Sequence, residues 1–256
     1  VSARIGPGGV IKTILGVQLG MAAILFAADI GADMPSLPFG PKPPDMDQPV
    51  RPGDQTRRYR PDRLPEAPAS RPFPETGEMP DRLHFTPSEI DGESVLRLTG
   101  QIAPGDADRF VDYLQQQDDG VNTLYLHSPG GSVQDALEIG RTIRDSGATT
   151  AIAAGDVCLS ACPYVLFGGT DRNVDPEGHV GVHQHYFGEN TVLPAFMAVE
   201  DVQRGQGRVM AYLEEMGIGL GVMEPALLTP PDEIYMLLPE DLRTYGIVAA
   251  DERETG

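Results

Sequence analysis

The sequence predicts an α/β domain, and three observations carry that prediction. From residue 94 onward, short apolar or β-branched runs alternate with helical stretches of about 10–15 residues, the pattern of βαβ units on a largely parallel sheet. Hydrophobic residues make up 40% of the 256, enough for one core even without Trp. The charge is also split. Residues 1–82 hold 10 Lys+Arg and 10 Asp+Glu, whereas 83–256 hold 9 and 28, so the whole net charge of -19 falls on the second part. A surface that acidic repels phosphate backbones and argues against nucleic acid as a partner.

The chain divides into three parts. Residues 1–32 are an expected membrane anchor: 10–32 are apolar, with charges only at Lys12 and Asp29, and the uncharged stretch 13–28 has 16 residues. Lys12 can reach back to the headgroups and extend this to a span of about 20 residues. Arg4 and Lys12 precede the stretch and Asp29 and Asp33 follow it, so the positive-inside rule places the rest of the chain across the membrane. A cleaved signal sequence is the competing reading. Cleavage wants two small residues flanking one position, but Phe26/Ala28 and Ile30/Ala32 each contain a bulky member, which favours an uncleaved anchor. Residues 33–82 hold 13 of the 24 prolines and few large apolar residues, the composition of a disordered linker, with Phe39 and Phe73 as the side chains that could dock. Residues 83–256 are the expected folded domain.

Within that domain the elements follow in order. Residues 94–99 alternate as a strand and end at Gly100; a helical pattern covers 106–117; Thr-Leu-Tyr-Leu-His at 123–127 is a second strand. Ser128-Pro-Gly-Gly131 is a turn by composition, followed by a helix over 133–145. Residues 149–154 form an apolar strand, and 158–167 a short helix closed by Gly168-Gly169. Residues 179–185 alternate as a strand, 198–216 form a long helical segment, and short elements finish near 245–250.

Ser160 sits in Cys158-Leu-Ser-Ala-Cys162, after the Gly155-Asp156 turn and at the start of the short apolar helix. A serine there is commonly an N-cap. The alternative is a nucleophile whose developing oxyanion is met by unpaired N–H groups at the helix start. A serine nucleophile needs a base. The only lysines, Lys12 and Lys42, precede the domain, so a Ser-Lys dyad would require the linker to fold back; otherwise the base is a histidine. Of His84, His127, His179, His183 and His185, the last three cluster in Gly178-His-Val-Gly-Val-His-Gln-His185. Alternation puts all three on one strand face, which a metal could use, but the domain offers few further ligands and no metal is expected. Plain structural roles suit His179 and His185. Ser128-Pro-Gly-Gly131 lacks the lysine of a phosphate loop, leaving a bare turn or one wall of an oxyanion site. Cys158 and Cys162, spaced i,i+4, would lie about 6 Å apart on one helical face. Two small buried thiols are the simpler expectation, with a disulfide the alternative in an oxidising compartment.

Tyr125-Leu-His-Ser-Pro-Gly-Gly131, a serine in a small-residue setting about thirty positions on, and Val182-His-Gln184 together resemble the proteolytic subunit of the Clp protease, in the ClpP/crotonase superfamily. The anchor, the Pro-rich linker and Thr229-Pro-Pro-Asp-Glu-Ile-Tyr235 are more similar still to membrane-anchored or periplasmic relatives of that family. The resemblance covers about 94–250. It implies a fold of repeated ββα and βαβ units, with Ser160 as nucleophile, His183 as general base and Asp232 as the acid. Asp232 lies 49 residues past His183 and ahead of Pro239-Glu240 and Tyr245-Gly246, as the family's acid does; Glu233 is the neighbouring alternative. Gly131 and Ala161 would supply the oxyanion-hole N–H groups. The setting of Ser160 between two cysteines departs from the family's Ala-Ser-Met-Gly.

The implied protein is a serine peptidase facing the periplasm, tethered to the bacterial inner membrane by a single span. It would cut peptide or protein substrates without a cofactor or an ATPase of its own. Residues 198–216 would match the helix through which family members associate, so a homo-oligomer or a membrane-protein partner is expected. A catalytically impaired scaffold that binds protein partners is the competing expectation. Acyl-CoA chemistry, also hosted by this fold, is disfavoured by the dearth of basic residues for CoA phosphates.

Overall fold

Strand and helix alternate along the chain as the sequence predicts, but the strands divide between two mixed sheets. The computed structural model describes residues 12–23, 46, 48–51, 53–62, 65, 68, 70–73, 78–90, 92–117, 120–185 and 195–249, with 195–198 described in backbone only. Residues 1–43 and 44–256 form separate units. In the first, 12–23 form a helix, α1. The remainder of the expected anchor, 1–11 and 24–32, lies outside the described residues, as does Phe39. Among the described residues, no helix is long and apolar enough to cross a membrane.

The second unit opens with β1 (Thr56–Arg58), β2 (His84–Ile90), β3 (Glu93–Thr99), α2 (Asp106–Gln115), β4 (Thr123–His127) and α3 (Val133–Ser146). It continues with β5 (Thr149–Ile152), β6 (Val157–Leu159), α4 (Cys162–Phe167), β7 (Arg172–Val174), β8 (His179–Val182) and α5 (Ala195–Glu215). It closes with α6 (Met223–Leu228), β9 (Glu233–Met236) and α7 (Pro239–Thr244). One sheet runs β2-β3-β4-β5-β7, parallel except for β2; the other runs β1-β9-β8-β6, in which only β6 and β8 are parallel. One unit recurs along this chain. β5 joins the first sheet, β6 the second, and α4 follows; β7, β8 and α5 do the same. β4 begins such a unit too, and its continuation Ser128 bridges to Cys158 on the second sheet before α3.

Local chemistry explains these elements. Ser132 caps α3 by accepting from the Asp135 N–H, and Gly147 ends that helix at φ 73°. Ala136, Ile139, Gly140 and Ile143 form a buried i, i+3, i+4, i+7 stripe. That stripe packs with Phe110 of α2, Leu124 and Leu126 of β4, and Leu166 and Phe167 of α4 into the main core. Gly140 and Gly168 meet backbone to backbone: a Cβ on Gly168 would overlap the Gly140 carbonyl, and one on Gly140 would meet the Tyr164 carbonyl at 2.7 Å. The two backbones therefore touch there with no side chain of α3 or α4 between them, and the Tyr212 hydroxyl of α5 fills the space beside Gly140.

Three sequence expectations need correction. Cys158 belongs to strand β6, and the helix expected from 158 starts at Cys162. The strand expected to run to His185 stops at Val182. The third concerns 33–82, which is not a linker over its described residues. β1 pairs antiparallel with β9, Met46 packs against Val157, Leu159 and Ile234, and Phe73 is buried beside Val95 and Ala153. Arg97 lies 3.9 Å above the Phe73 ring, and Tyr125 meets its edge. Although the tract is poor in apolar residues overall, a few large side chains spaced along it find separate sites on the domain.

Its firmest attachment is ionic. Arg71 and Arg97 both donate to Oδ1 of Asp156, at 2.8 and 2.9 Å, with the aspartate side chain fully buried and each arginine side chain 8% exposed. Burial raises the Asp156 carboxyl, and the two guanidiniums oppose that. Beside them His127 is pushed down to about 3 by burial and by Arg97 and Arg71. It stays neutral, with Nδ1 accepting from the Val157 N–H at 3.2 Å, so its 3.3 Å approach to Asp156 is not an ion pair. Removing Asp156 leaves two buried cations without a counter-charge. Asp156→Ala is expected to cost about 3–5 kcal/mol in urea unfolding, with new proteolytic cuts near 70–73; a loss under about 1 kcal/mol contradicts the cluster.

Candidate active site

The end of β6 and the start of α4 place Ser160. Its backbone is left-handed, φ 60°, the one positive φ outside glycine among the described residues. Such a conformation costs about 1–3 kcal/mol and is held only by its surroundings. Here the Ser160 N–H donates to the Gly181 carbonyl of β8 at 3.0 Å, and the Leu159 N–H donates to the Ser128 carbonyl at 3.1 Å. The sharp strand-to-helix turn frees the hydroxyl from the role of a cap: the N-cap of α4 is Ala161, without a side-chain bond.

One residue beyond β8, His183 is 5% exposed, and its Nε2 lies 2.7 Å from Ser160 Oγ. The serine is thus positioned to donate to the ring, which puts the ring proton on Nδ1. Nδ1 is buried and makes no bond of hydrogen-bond geometry. Burial lowers the imidazole below its ordinary 6.5, while the backbone of Pro231, Glu233 and Pro230 and the charge of Asp232 oppose this. That backbone therefore faces the ring without closing a bond. The Asp232 side chain is 69% exposed and ion-paired with Arg58; Glu233, 20% exposed, lies 3.6 Å from the same guanidinium. The structure brings Ser160 and His183 together and turns both candidate acids toward Arg58.

The glycine turn comes next to the serine. A Cβ on Gly130 would fall 2.6 Å from Ser160 Cβ and 2.8 Å from the Ala161 nitrogen. Gly131, at φ 139°, bridges to Ile102, whose N–H donates to the Gly130 carbonyl and whose carbonyl accepts from the Ser132 N–H. That register leaves the Gly131 N–H out of the ladder. Neither it nor the Ala161 N–H donates to a backbone carbonyl among the described residues. Two amides flanking a serine–histidine pair can receive an oxyanion. No protein-family model matches the chain.

The other candidates fall elsewhere. His185 Nε2 lies 2.6 Å from the hydroxyl of buried Tyr164, and burial lowers it to about 4. His179 belongs to β8, and His84 is exposed on β2. Among the described residues, no three His, Cys, Asp or Glu are grouped to hold a metal. A cavity of about 1050 Å³ lined by Met46, Arg57, Arg172, His179 and Arg243 includes neither Ser160 nor His183.

The cysteines are bonded, against the simpler expectation of two free thiols. With Cys158 on β6 and Cys162 opening α4, the turn folds their Cα atoms to 5.0 Å, and Ser160 is the middle residue of the bridged loop. Sequence reading also missed Tyr59. Its ring centroid lies 4.8 Å from that of His183, and its hydroxyl donates to the Pro129 carbonyl at 2.5 Å. Burial pushes the phenol up to about 12, with the Ser160 hydroxyl opposing that. The available signal was Thr56-Arg-Arg-Tyr59, a proline-free run in a Pro-rich tract.

Alkylation without reduction, followed by mass spectrometry, is expected to leave both cysteines unmodified. Replacing the pair with alanine is expected to cost about 2 kcal/mol, the chain-entropy value for so short a loop; quantitative alkylation contradicts the bond. The imidazole must be neutral to take the serine proton. Because its pKa is lowered, the neutral form persists as pH falls through 6.5, so the acid limb of the activity profile belongs below 6.5. An acid limb above 6.5 contradicts the buried placement.

Proposed function

We propose that this protein is a serine hydrolase of peptide bonds, built like the ClpP/crotonase superfamily that its motifs resemble. The observation that carries this reading is the 2.7 Å contact of Ser160 Oγ with His183 Nε2 at a left-handed strand-to-helix turn. Ser160 attacks the substrate carbonyl as His183 takes its proton, and the Gly131 and Ala161 N–H groups receive the tetrahedral oxygen. The imidazolium then gives its proton to the leaving amine, and water releases the acyl group by the reverse path. Asp232 or Glu233 would orient the ring on leaving Arg58. Tethering to a bacterial inner membrane with the domain in the periplasm, and self-association through α5, belong to the same proposal.

A second reading, a catalytically impaired scaffold, is favoured by the partnerless Nδ1 of His183 and by the pairing of both acids with Arg58. Fluorophosphonate labelling separates the two. Ser160→Ala is expected to abolish labelling, and His183→Ala to slow it by about a thousandfold or more. Equal labelling of parent and Ser160→Ala removes the nucleophile; a parent that stays unlabelled, both as it is and with Arg58→Glu freeing the two acids, favours the scaffold.

A further inference from the structure

We infer that residues 55–59 are a self-inhibitory strap that lies in the peptide-binding position of this site and must leave before a substrate enters. This rests on the serine-hydrolase reading for its target, and on the following contacts for itself. β1 pairs with the outer edge of β9 through Thr56↔Tyr235, Arg57↔Ile234 and Arg58↔Glu233, and the Tyr59 N–H donates to the Asp232 carbonyl at 3.0 Å. An extended peptide would use the same edge by strand addition. Immediately after this pairing, the Tyr59 ring turns onto His183 and its hydroxyl takes the Pro129 carbonyl, one residue before Gly130-Gly131. The phenol therefore spans from the base to the glycine turn, across the space an acyl carbon would cross.

The strap acts on the acid as well. Arg58 holds Asp232 and approaches Glu233, while Nδ1 of His183, the atom an acid would meet, has no partner. One segment thus covers the base and occupies both carboxylates. Its fastening is light. β1 has three residues, and the Arg58 and Asp232 side chains are 32% and 69% exposed. Gln55 supplies the other end, donating to the Met236 carbonyl at 3.1 Å and to Asp241 at 2.7 Å, and accepting from the Tyr235 hydroxyl at 2.7 Å. Such a short, edge-bound, solvent-facing clasp opens locally without unfolding the core.

Two variants of the full chain test this. Tyr59→Ala removes the plug, and Arg58→Glu keeps the tyrosine but repels Asp232. Each is expected to raise the rate of fluorophosphonate labelling at Ser160 by about tenfold or more. A second measurement needs no catalysis: acylation of His183 by diethyl pyrocarbonate, located by mass spectrometry in a Ser160→Ala background, is expected to rise in both variants. Should Tyr59→Ala fail to fold, Arg58→Glu decides. His183 acylation that stays at the parental rate overturns the strap. Faster acylation with no Ser160 labelling in any variant upholds the strap and overturns the hydrolase reading instead.

Discussion

The bond from the Ser160 N–H to the Gly181 carbonyl is the constraint on which the site depends. It fixes a left-handed residue between two parallel strands, β6 and β8, so that the hydroxyl projects toward the residue that follows β8. That residue is His183. The serine–histidine contact is a consequence of strand register: slide β6 against β8 by one residue, and every side chain changes face. The register is held from the other side by the bridge between Ser128 and Cys158, which brings the glycine turn against the same serine. Three distant stretches thus meet because two strand pairings place them there, and the disulfide closes the loop that carries the serine.

Around this centre, charge is distributed unevenly. The domain is strongly acidic, while the tract from 51 to 63 carries Arg51, Arg57, Arg58, Arg60 and Arg63 against Asp54 and Asp62. Long-range attraction favours laying that tract on the domain, and specific contacts then select where it rests. The buried Arg71–Asp156–Arg97 cluster differs in kind from the exposed Arg58–Asp232 pair. Breaking the first leaves uncompensated charge in the interior, whereas the second exchanges readily with water. A buried ionic attachment and an exposed one are therefore neighbours on one segment.

Much of this was legible in the sequence. The alternation of strands and helices is written in local periodicity, and Thr123–His127 is a strand at its expected bounds because its burial pattern is local. The pairing of Ser160 with His183 followed from motif order. What could not be read was anything set by partners remote in the chain. Residues 33–82 look unable to fold because composition averages over a tract, yet Met46, Tyr59, Arg71 and Phe73 each need only one receptive site. The resemblance points to Asp232 through its spacing from His183 and the Pro-Glu and Tyr-Gly that follow, none of which carries information about Arg58, 174 residues earlier. The cysteines were judged as a helical pair; the sharp turn at Ser160, visible only in three dimensions, places one on a strand and makes the bond.

The Gly140–Gly168 crossing has a consequence for chemistry some distance away. Where the Gly168 backbone at the end of α4 rests on that of Gly140, no side chain of either helix separates the two, and α4 is only six residues long. Its first turn carries the Ala161 amide and Pro163, so the direction in which that amide points is inherited from a helix–helix contact at the opposite end. A methyl group added at position 168 would press on the Gly140 backbone and tilt the whole short rod. Such a tilt would re-aim the Ala161 N–H without touching Ser160 or His183, so the setting of that amide is governed from outside the pair.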